Sequence, residues 1–370
     1  MSYGEAIDFL MALVKVPSVS GDERSAVSLL VEKMNELGLS ADIDDAGNAV
    51  AIREIPGKEG KISREIVLLG HIDTVPGDIP VSIEDGKLYG RGSVDAKGPL
   101  ATFLFAAARA ELHPGTRLVI IGAVEEECAT SKGARFAADC FRPDYCIIGE
   151  PSGWDGVTLG YKGRLLIDYR LRQPMGHTAG PQTGAAEKAI AWWNRLLAYV
   201  ERYNEGRNRL FDQILPSLRE IRTGGDGIHN EVWAKIGLRL PLDFDQDSFC
   251  RDAADWAEDA ELVFYGYEPA FKSDRRSSLV TIFNQVLREN KIRPHLKVKT
   301  GTSDMNVIGP VWACPIVAYG PGDSLLDHTP NEHIELEQYT KAIDLLTAVL
   351  SRLSDPALAG LSSQKCMSKH

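Results

Sequence analysis

Apolar positions along the first 160 residues follow two alternating patterns. Val27, Leu30, Val31, Met34 and Leu37 recur at helical spacing within Ser25–Leu37, and Gly38 supplies the stop. Ile66-Val67-Leu68-Leu69 is instead a continuous apolar run, the form taken by a strand buried on both faces. Leu118-Val119-Ile120-Ile121 and Tyr145-Cys146-Ile147-Ile148 repeat that run, while Leu100–Ala110 and Ser131–Ala138 read as helices. The alternation predicts an α/β fold, a mixed and mainly parallel sheet flanked by helices. From Tyr161 the pattern changes. Strand-like Arg164–Arg172 and Val232–Leu240, around a helix from Thr183 to about Tyr203, predict a smaller inserted α+β domain. Buried-strand character returns at Pro315–Tyr319, an amphipathic helix covers about Glu335–Leu353, and Ser354–His370 reads as a frayed tail. The expected organisation is a discontinuous domain, 1–160 with 271–370, around an insertion over 161–270.

The length of 370 residues suits two domains, and 44% hydrophobic with 25% charged residues is ordinary for a globular chain. A formal charge of −11 disfavours nucleic acid as the main partner. No apolar run reaches the roughly 18 residues of a membrane span. The N-terminus carries Glu5 and Asp8 without a basic region, unlike a secretory signal, so a soluble cytoplasmic protein is expected. The six cysteines form no Cys-x-x-Cys pair, which excludes zinc ribbons and leaves reduced, mostly buried thiols as the expectation.

Chemistry collects after the predicted strands. His71 and Asp73 follow the first run, Glu125-Glu126-Glu127 the second and Glu150 the third. Sites in open α/β sheets form beyond the carboxyl ends of strands, so these clusters can share one crevice. With Asp95 and His328, the set His71, Asp95, Glu127, Glu150 and His328 is an N/O donor group suited to zinc or a similar divalent metal. Each member alone has a plainer reading: a strand-end histidine, a turn aspartate beside Gly92 and Gly98, a solvated acidic run. Jointly they favour two ions sharing one carboxylate. Two divalent ions and three carboxylates leave one positive charge, which a hydroxide would balance.

Gly70-His71-Ile72-Asp73-Thr74-Val75-Pro76 resembles the first metal motif of the M20 family of dinuclear zinc peptidases and amidohydrolases, the aminoacylase/carboxypeptidase group. Tyr89-Gly90-Arg91-Gly92-Ser93-Val94-Asp95-Ala96-Lys97-Gly98, Glu126-Glu127, Gly149-Glu150-Pro151, Gly301-Thr302-Ser303-Asp304 and Asp327-His328-Thr329-Pro330-Asn331-Glu332 are similar to its later motifs, in order. The resemblance implies a zinc-peptidase-like catalytic domain with two divalent ions per chain, Zn2+ with Co2+ as a substitute. His71 and Glu150 would hold one ion, Glu127 and His328 the other, and Asp95 both. Asp73 would orient the His71 imidazole. Glu126 would be the general base that takes a proton from the attacking water, with Glu125 or Glu127 as the alternative. The insertion resembles the family's lid and dimerisation domain. His177, in Gly176-His177-Thr178-Ala179, would stabilise the oxyanion in a neighbouring subunit, or else be an interface histidine. Asn230, Arg239, Gly301, Thr302 and Ser303 would bind substrate, although Arg239 also fits an ordinary ion pair.

Glu150, where true peptidases of the family carry Asp, implies removal of an acyl group from an amine. Ala123-Val124-Glu125-Glu126-Glu127, Leu159-Gly160-Tyr161-Lys162-Gly163-Arg164 and Asp304-Met305-Asn306 are similar to a subgroup that releases lysine or ornithine from the C-terminal glutamate of an acidic amino-group carrier protein. Cys128 departs from the commoner glycine after the glutamate pair. The implied partners are that carrier and a second subunit, with neither nucleic acid nor membrane. A small-molecule N-acetyl-lysine or N-acetyl-ornithine deacetylase, or a desuccinylase, is the alternative, and a non-catalytic metal-binding protein ranks below it. Tyr161–Arg239 holds 13 Lys or Arg against 8 Asp or Glu. Lys162, Arg164, Arg202, Arg207 and Arg209 could receive an acidic carrier or merely form a solvated face.

Overall fold

The computed structural model describes residues 2–177 and 179–357, in two compact units. The first comprises Met1–Gly160, Ser273–Val298 and Ser303–His370, and the second Tyr161–Lys272 with Lys299–Thr302. Most of the expected frayed tail lies outside the described residues. Its first residue, Ser354, instead closes the helix Leu336–Ser354 and is buried.

The first unit is built on the three apolar runs. Strands Thr116–Ala123, Arg64–His71, Tyr145–Gly149 and Ile316–Tyr319 lie side by side and parallel, with Leu68 opposite Ile120 on one side and Ile147 on the other. Sandwiched strands see no water, which is why their sequences are uniformly apolar. The mixed sheet is completed by an antiparallel hairpin, Ser40–Ile43 with Ala49–Ile55, and by Gly156–Tyr161 and His295–Lys299. These strands lack a long apolar run and are not evident from the sequence pattern. Helix Lys97–Arg109 begins three residues before the predicted start. Gly98-Pro99 falls in its first turn, where the missing proline N–H is not needed.

Two glycines set the spacing near the strand ends. A Cβ on Gly149 would lie 2.9 Å from the Gly70 Cα, so the strands delivering His71 and Glu150 approach more closely than larger residues permit. A Cβ on Gly98 would meet the Ser93 carbonyl oxygen at 2.4 Å, so the turn holding Asp95 folds tightly onto its helix.

The second unit has an antiparallel sheet in the order Leu215–Gly225, His229–Leu240, Gly163–Pro174, Glu261–Glu268. Val232, Ala234, Ile236, Leu238 and Leu240 point inward at every second position. They meet Trp192 and Leu196 of helix Ala185–Asn204 and Phe249 of helix Gln246–Ala257 in a separate core. Such one-sided alternation marks a sheet covered on a single face.

Three details correct the sequence reading. Lys299–Thr302 joins the second unit because Lys162 N–H donates to the Lys299 carbonyl at 3.3 Å and Thr302 Oγ1 donates to the Lys162 carbonyl at 3.2 Å. Lys162 itself is buried, its ammonium donating to the carbonyls of Leu210, Phe211 and Gln213, so it offers no surface charge. Arg207 pairs with Asp243 at 2.8 Å and Arg209 with Asp212 at 2.7 Å, which neutralises much of the rest of that supposed basic patch. Among the described residues Cys128, Cys140, Cys146, Cys250 and Cys314 are free thiols, but only Cys146 is buried.

Candidate metal centre

The first unit brings His71, Asp95, Glu126, Glu127, Glu150 and His328 to one end of the parallel strands. His71 ends strand Arg64–His71, the glutamate pair follows Thr116–Ala123, and Glu150 follows Tyr145–Gly149. Asp95 sits in the turn before helix Lys97–Arg109, and His328 in the loop after Ile316–Tyr319.

Asp95 lies between the two imidazoles. Its Oδ1 is 3.2 Å from His71 Nε2 and its Oδ2 is 3.1 Å from His328 Nε2. Glu150 Oε1 stands 3.9 Å from His71 Nε2 on one side, and Glu127 Oε1 is 3.0 Å from His328 Nε2 on the other. The result is two half-sites, each with one imidazole and one glutamate, sharing one aspartate. Donor atoms of His71, Asp95 and Glu127 all fall within 4.8 Å of one another. This donor chemistry fits divalent metal, and the sharing of Asp95 fits a pair of ions.

His71 is held in a fixed orientation. Its Nδ1 lies 3.0 Å from the Asp73 carbonyl, an acceptor only, so Nδ1 carries the proton and Nε2 faces Asp95. The Asp73 carboxylate, 3.5 Å from Nδ1 at Oδ1, has a wider role than the sequence suggested. It accepts the N–H groups of Glu126 at 3.1 Å and Glu127 at 2.9 Å, and the Ser20 hydroxyl at 2.7 Å. One buried side chain therefore fixes the backbone of both glutamates. Glu125 turns away: its backbone is left-handed at φ 59°, and its carboxylate accepts the Thr130 hydroxyl at 2.6 Å.

Burial and mutual charge set the protonation of the metal-free site. Burial would push the His71 imidazole down, but its hydrogen bonds to Asp73 and Asp95 reverse this and hold it well above its ordinary range. Hydrogen bonds to Asp95 and Glu127 raise His328 to about 10. Burial pushes Asp95 up, and the two imidazoles overcome it to hold its carboxyl well below the usual range. Burial, reinforced by Glu150, Glu127 and Asp304, raises Glu126 well above an ordinary glutamate despite the opposing His71.

Other residues support the turn carrying Asp95. Glu332, fully buried, accepts the N–H groups of Val94 at 3.0 Å and Asp95 at 3.2 Å, and pairs with Arg91 at 2.7 Å. Lys97 donates to the carbonyls of Leu13 and Val16 at 3.2 and 2.6 Å, fastening this turn to the end of helix Tyr3–Lys15. Glu23 accepts the Glu125 N–H at 3.2 Å. Glu332 stood in a recognised motif without an assigned role; Ser20 and Glu23 had no local signal.

The remaining candidates fall elsewhere. Ser303 caps helix Asp304–Trp312 in the first unit. His177, Asn230, Arg239, Gly301 and Thr302 belong to the second. There His177 is exposed, its Nδ1 accepting the Ala179 N–H at 3.2 Å, and Asn230 begins strand His229–Leu240. Arg239 near the end of that strand donates to Thr302 Oγ1 at 2.6 Å.

Comparison with known proteins identifies the family. The chain is 43% identical over 356 residues to a LysW-lysine hydrolase of Deinococcus radiodurans, covering 94% of this chain and 97% of that one. It is 44% identical over 353 residues to a putative LysW-lysine/LysW-ornithine hydrolase of Thermococcus kodakarensis, covering 95% and 93%. The crystal structure of an M20 family metallo-carboxypeptidase from Sulfolobus solfataricus superposes with a TM-score of 0.78 over 96% of this chain and 100% of that one, and at 19% identity it speaks to the fold. The model of peptidase family M20/M25/M40 matches residues 67–352, spanning every residue of the candidate centre. This chain belongs to that hydrolase family.

Proposed function

We propose that this protein is a two-metal amide hydrolase releasing lysine, ornithine or both from the C-terminal glutamate of an acidic amino-group carrier protein. The observation that carries the metal chemistry is Asp95, with one carboxylate oxygen toward each imidazole. The substrate class is supported by relatives at 43% and 44% identity that bear LysW-lysine and LysW-ornithine hydrolase names.

His71, Glu150 and Asp95 would hold one ion, and His328, Glu127 and Asp95 the other, with zinc the natural choice for these N/O donors. When bound, two divalent ions polarise the scissile carbonyl, acidify the attacking water and offset the anionic crowding around Glu126. Glu126 takes a proton from that water and returns it to the departing amine. Glu125 is engaged with Thr130 and Glu127 with His328, which supports Glu126 as the general base. Asp73 keeps the base and its neighbouring ligand in place through their backbone N–H groups.

The second unit would supply substrate contacts through Asn230, Arg239, Gly301 and Thr302, with Ser303 beside them in sequence. It would also supply the dimer contact. Strand Leu215–Gly225 ends the order of its sheet and exposes Leu218 and Ile221, an edge suited to a second copy. His177, with Nδ1 accepting and Nε2 able to donate, would serve the neighbouring subunit's oxyanion.

The test compares hydrolysis of carrier-linked lysine with that of N-acetyl-lysine by the metal-loaded enzyme. A carrier substrate turned over at least about a hundredfold more efficiently supports the proposal. Equal efficiencies would identify a small-molecule deacetylase instead.

A further inference from the structure

Positive charge in the first unit is concentrated outside the metal centre. Ser273–Val298 holds six Lys or Arg against two acidic residues, and this net +4 leaves the remainder of the chain at −15. One of those acids, Glu289, is occupied by Arg352 at 3.0 Å, and the other, Asp274, accepts the N–H of Arg276 at 2.8 Å. Arg288, Lys291 and Arg293 are exposed, with no ion-pair partner among the described residues.

These side chains lead into strand His295–Lys299, which pairs only with Gly156–Tyr161 among the described strands. Its outer edge presents backbone groups, with Leu296 and Val298 at 36% and 40% exposure alternating with His295 and Lys297. Lys297 ties the strand to the chemistry: its ammonium donates at 2.9 Å to the carbonyl of Ser152, two residues beyond the proposed ligand Glu150.

We infer that the edge over residues 295–298, with Arg288, Lys291 and Arg293 leading into it, is the docking surface for an acidic protein domain whose C-terminal tail enters the metal centre. The inference rests on the carrier reading above and adds where the carrier binds. It also moves the contact from the insertion, where Lys162 is buried and Arg207 and Arg209 are paired, to the catalytic unit. Lysine on an edge strand commonly guards against aggregation, which would explain Lys297 but not the three cations before the strand. Nucleic acid would need a longer basic track than this short run on a chain that is otherwise strongly negative. An acidic domain matches both the charge and the intervening apolar side chains.

The test is the exposed double variant Lys291→Glu/Arg293→Glu, assayed on lysine-loaded carrier and on a short γ-glutamyl-lysine peptide. KM for the loaded carrier should rise at least about tenfold, kcat should stay within about twofold, and the short peptide should be unaffected. The milder Arg293→Ala should raise the carrier KM by about two- to fivefold. Added salt should weaken carrier binding more in the parent than in the double variant. An unchanged carrier KM, an equal loss on both substrates, or competition by a DNA oligonucleotide at carrier concentrations would overturn the assignment. A parent enzyme with no preference for the loaded carrier over the short peptide would overturn the carrier reading itself. A preference that both variants retain in full would overturn only this surface.

Discussion

Replacing Asp73 by Asn separates the two half-sites of the metal centre. The carboxylate is buried and acceptor-only, with the Glu126 N–H on Oδ1 and the Glu127 N–H and Ser20 hydroxyl on Oδ2. An asparagine keeps one acceptor and turns the other atom into a donor. If the amide nitrogen took the Oδ1 position it would oppose the Glu126 N–H and the nearby His71 Nδ1–H. At the Oδ2 position it can be accepted by the Ser20 hydroxyl, leaving one donor–donor clash with Glu127. The second orientation is cheaper, so the damage falls on Glu127 and its partner His328. Losing one charge-assisted hydrogen bond costs about 1.5–3 kcal/mol. Converted to affinity, that is roughly a ten- to hundredfold weakening of one ion, the size known for residues that orient metal ligands. Metal titration of the apo-protein, with bound ions counted by elemental analysis, should show one site near the parent affinity and one weakened. Two sites at parent affinity, or selective loss of the His71 side, would refute the reasoning.

Glu126→Gln should retain about two ions per chain and lose turnover by about 10²–10⁴, because the amide cannot shuttle a proton; loss of an ion, with turnover restored by excess metal, would exchange its role with that of Glu127. Metal uptake should strengthen as pH rises between 6 and 8, since protons that the carboxylates hold on His71 and His328 must leave first, with a slope of up to about one in log affinity per pH unit for each ion; isothermal titration in buffers of different ionisation enthalpy counts the protons, and a flat profile would contradict the protonation assigned here. Without metal, the raised His328 stabilises the fold fully below about 6.5 and loses that contribution as pH climbs through about 10. The raised Glu126 acts with the same sign, so the melting temperature of the apo-protein should fall over that range.

What the sequence made legible follows from how local each determinant is. Strands such as Ile66–Leu69 announce themselves because burial on both faces demands an unbroken apolar run, and the ligands at their ends inherit that visibility. The short strand His295–Lys299 is exposed along nearly its whole length and has no apolar run to mark it. Residues that act at a distance were equally silent. Ser20 and Glu23 reach Asp73 and Glu125 across 53 and 102 residues, and nothing in their own neighbourhoods distinguishes them from surface polar residues. Charge misled for the same reason. A count along Tyr161–Arg239 treats every cation as available, but Lys162 is consumed by three carbonyls of its own unit. A net charge counted in sequence therefore becomes a binding surface only where side chains are exposed and their opposites are engaged elsewhere. Arg288, Lys291 and Arg293 meet that condition, whereas Lys162, Arg207 and Arg209 do not.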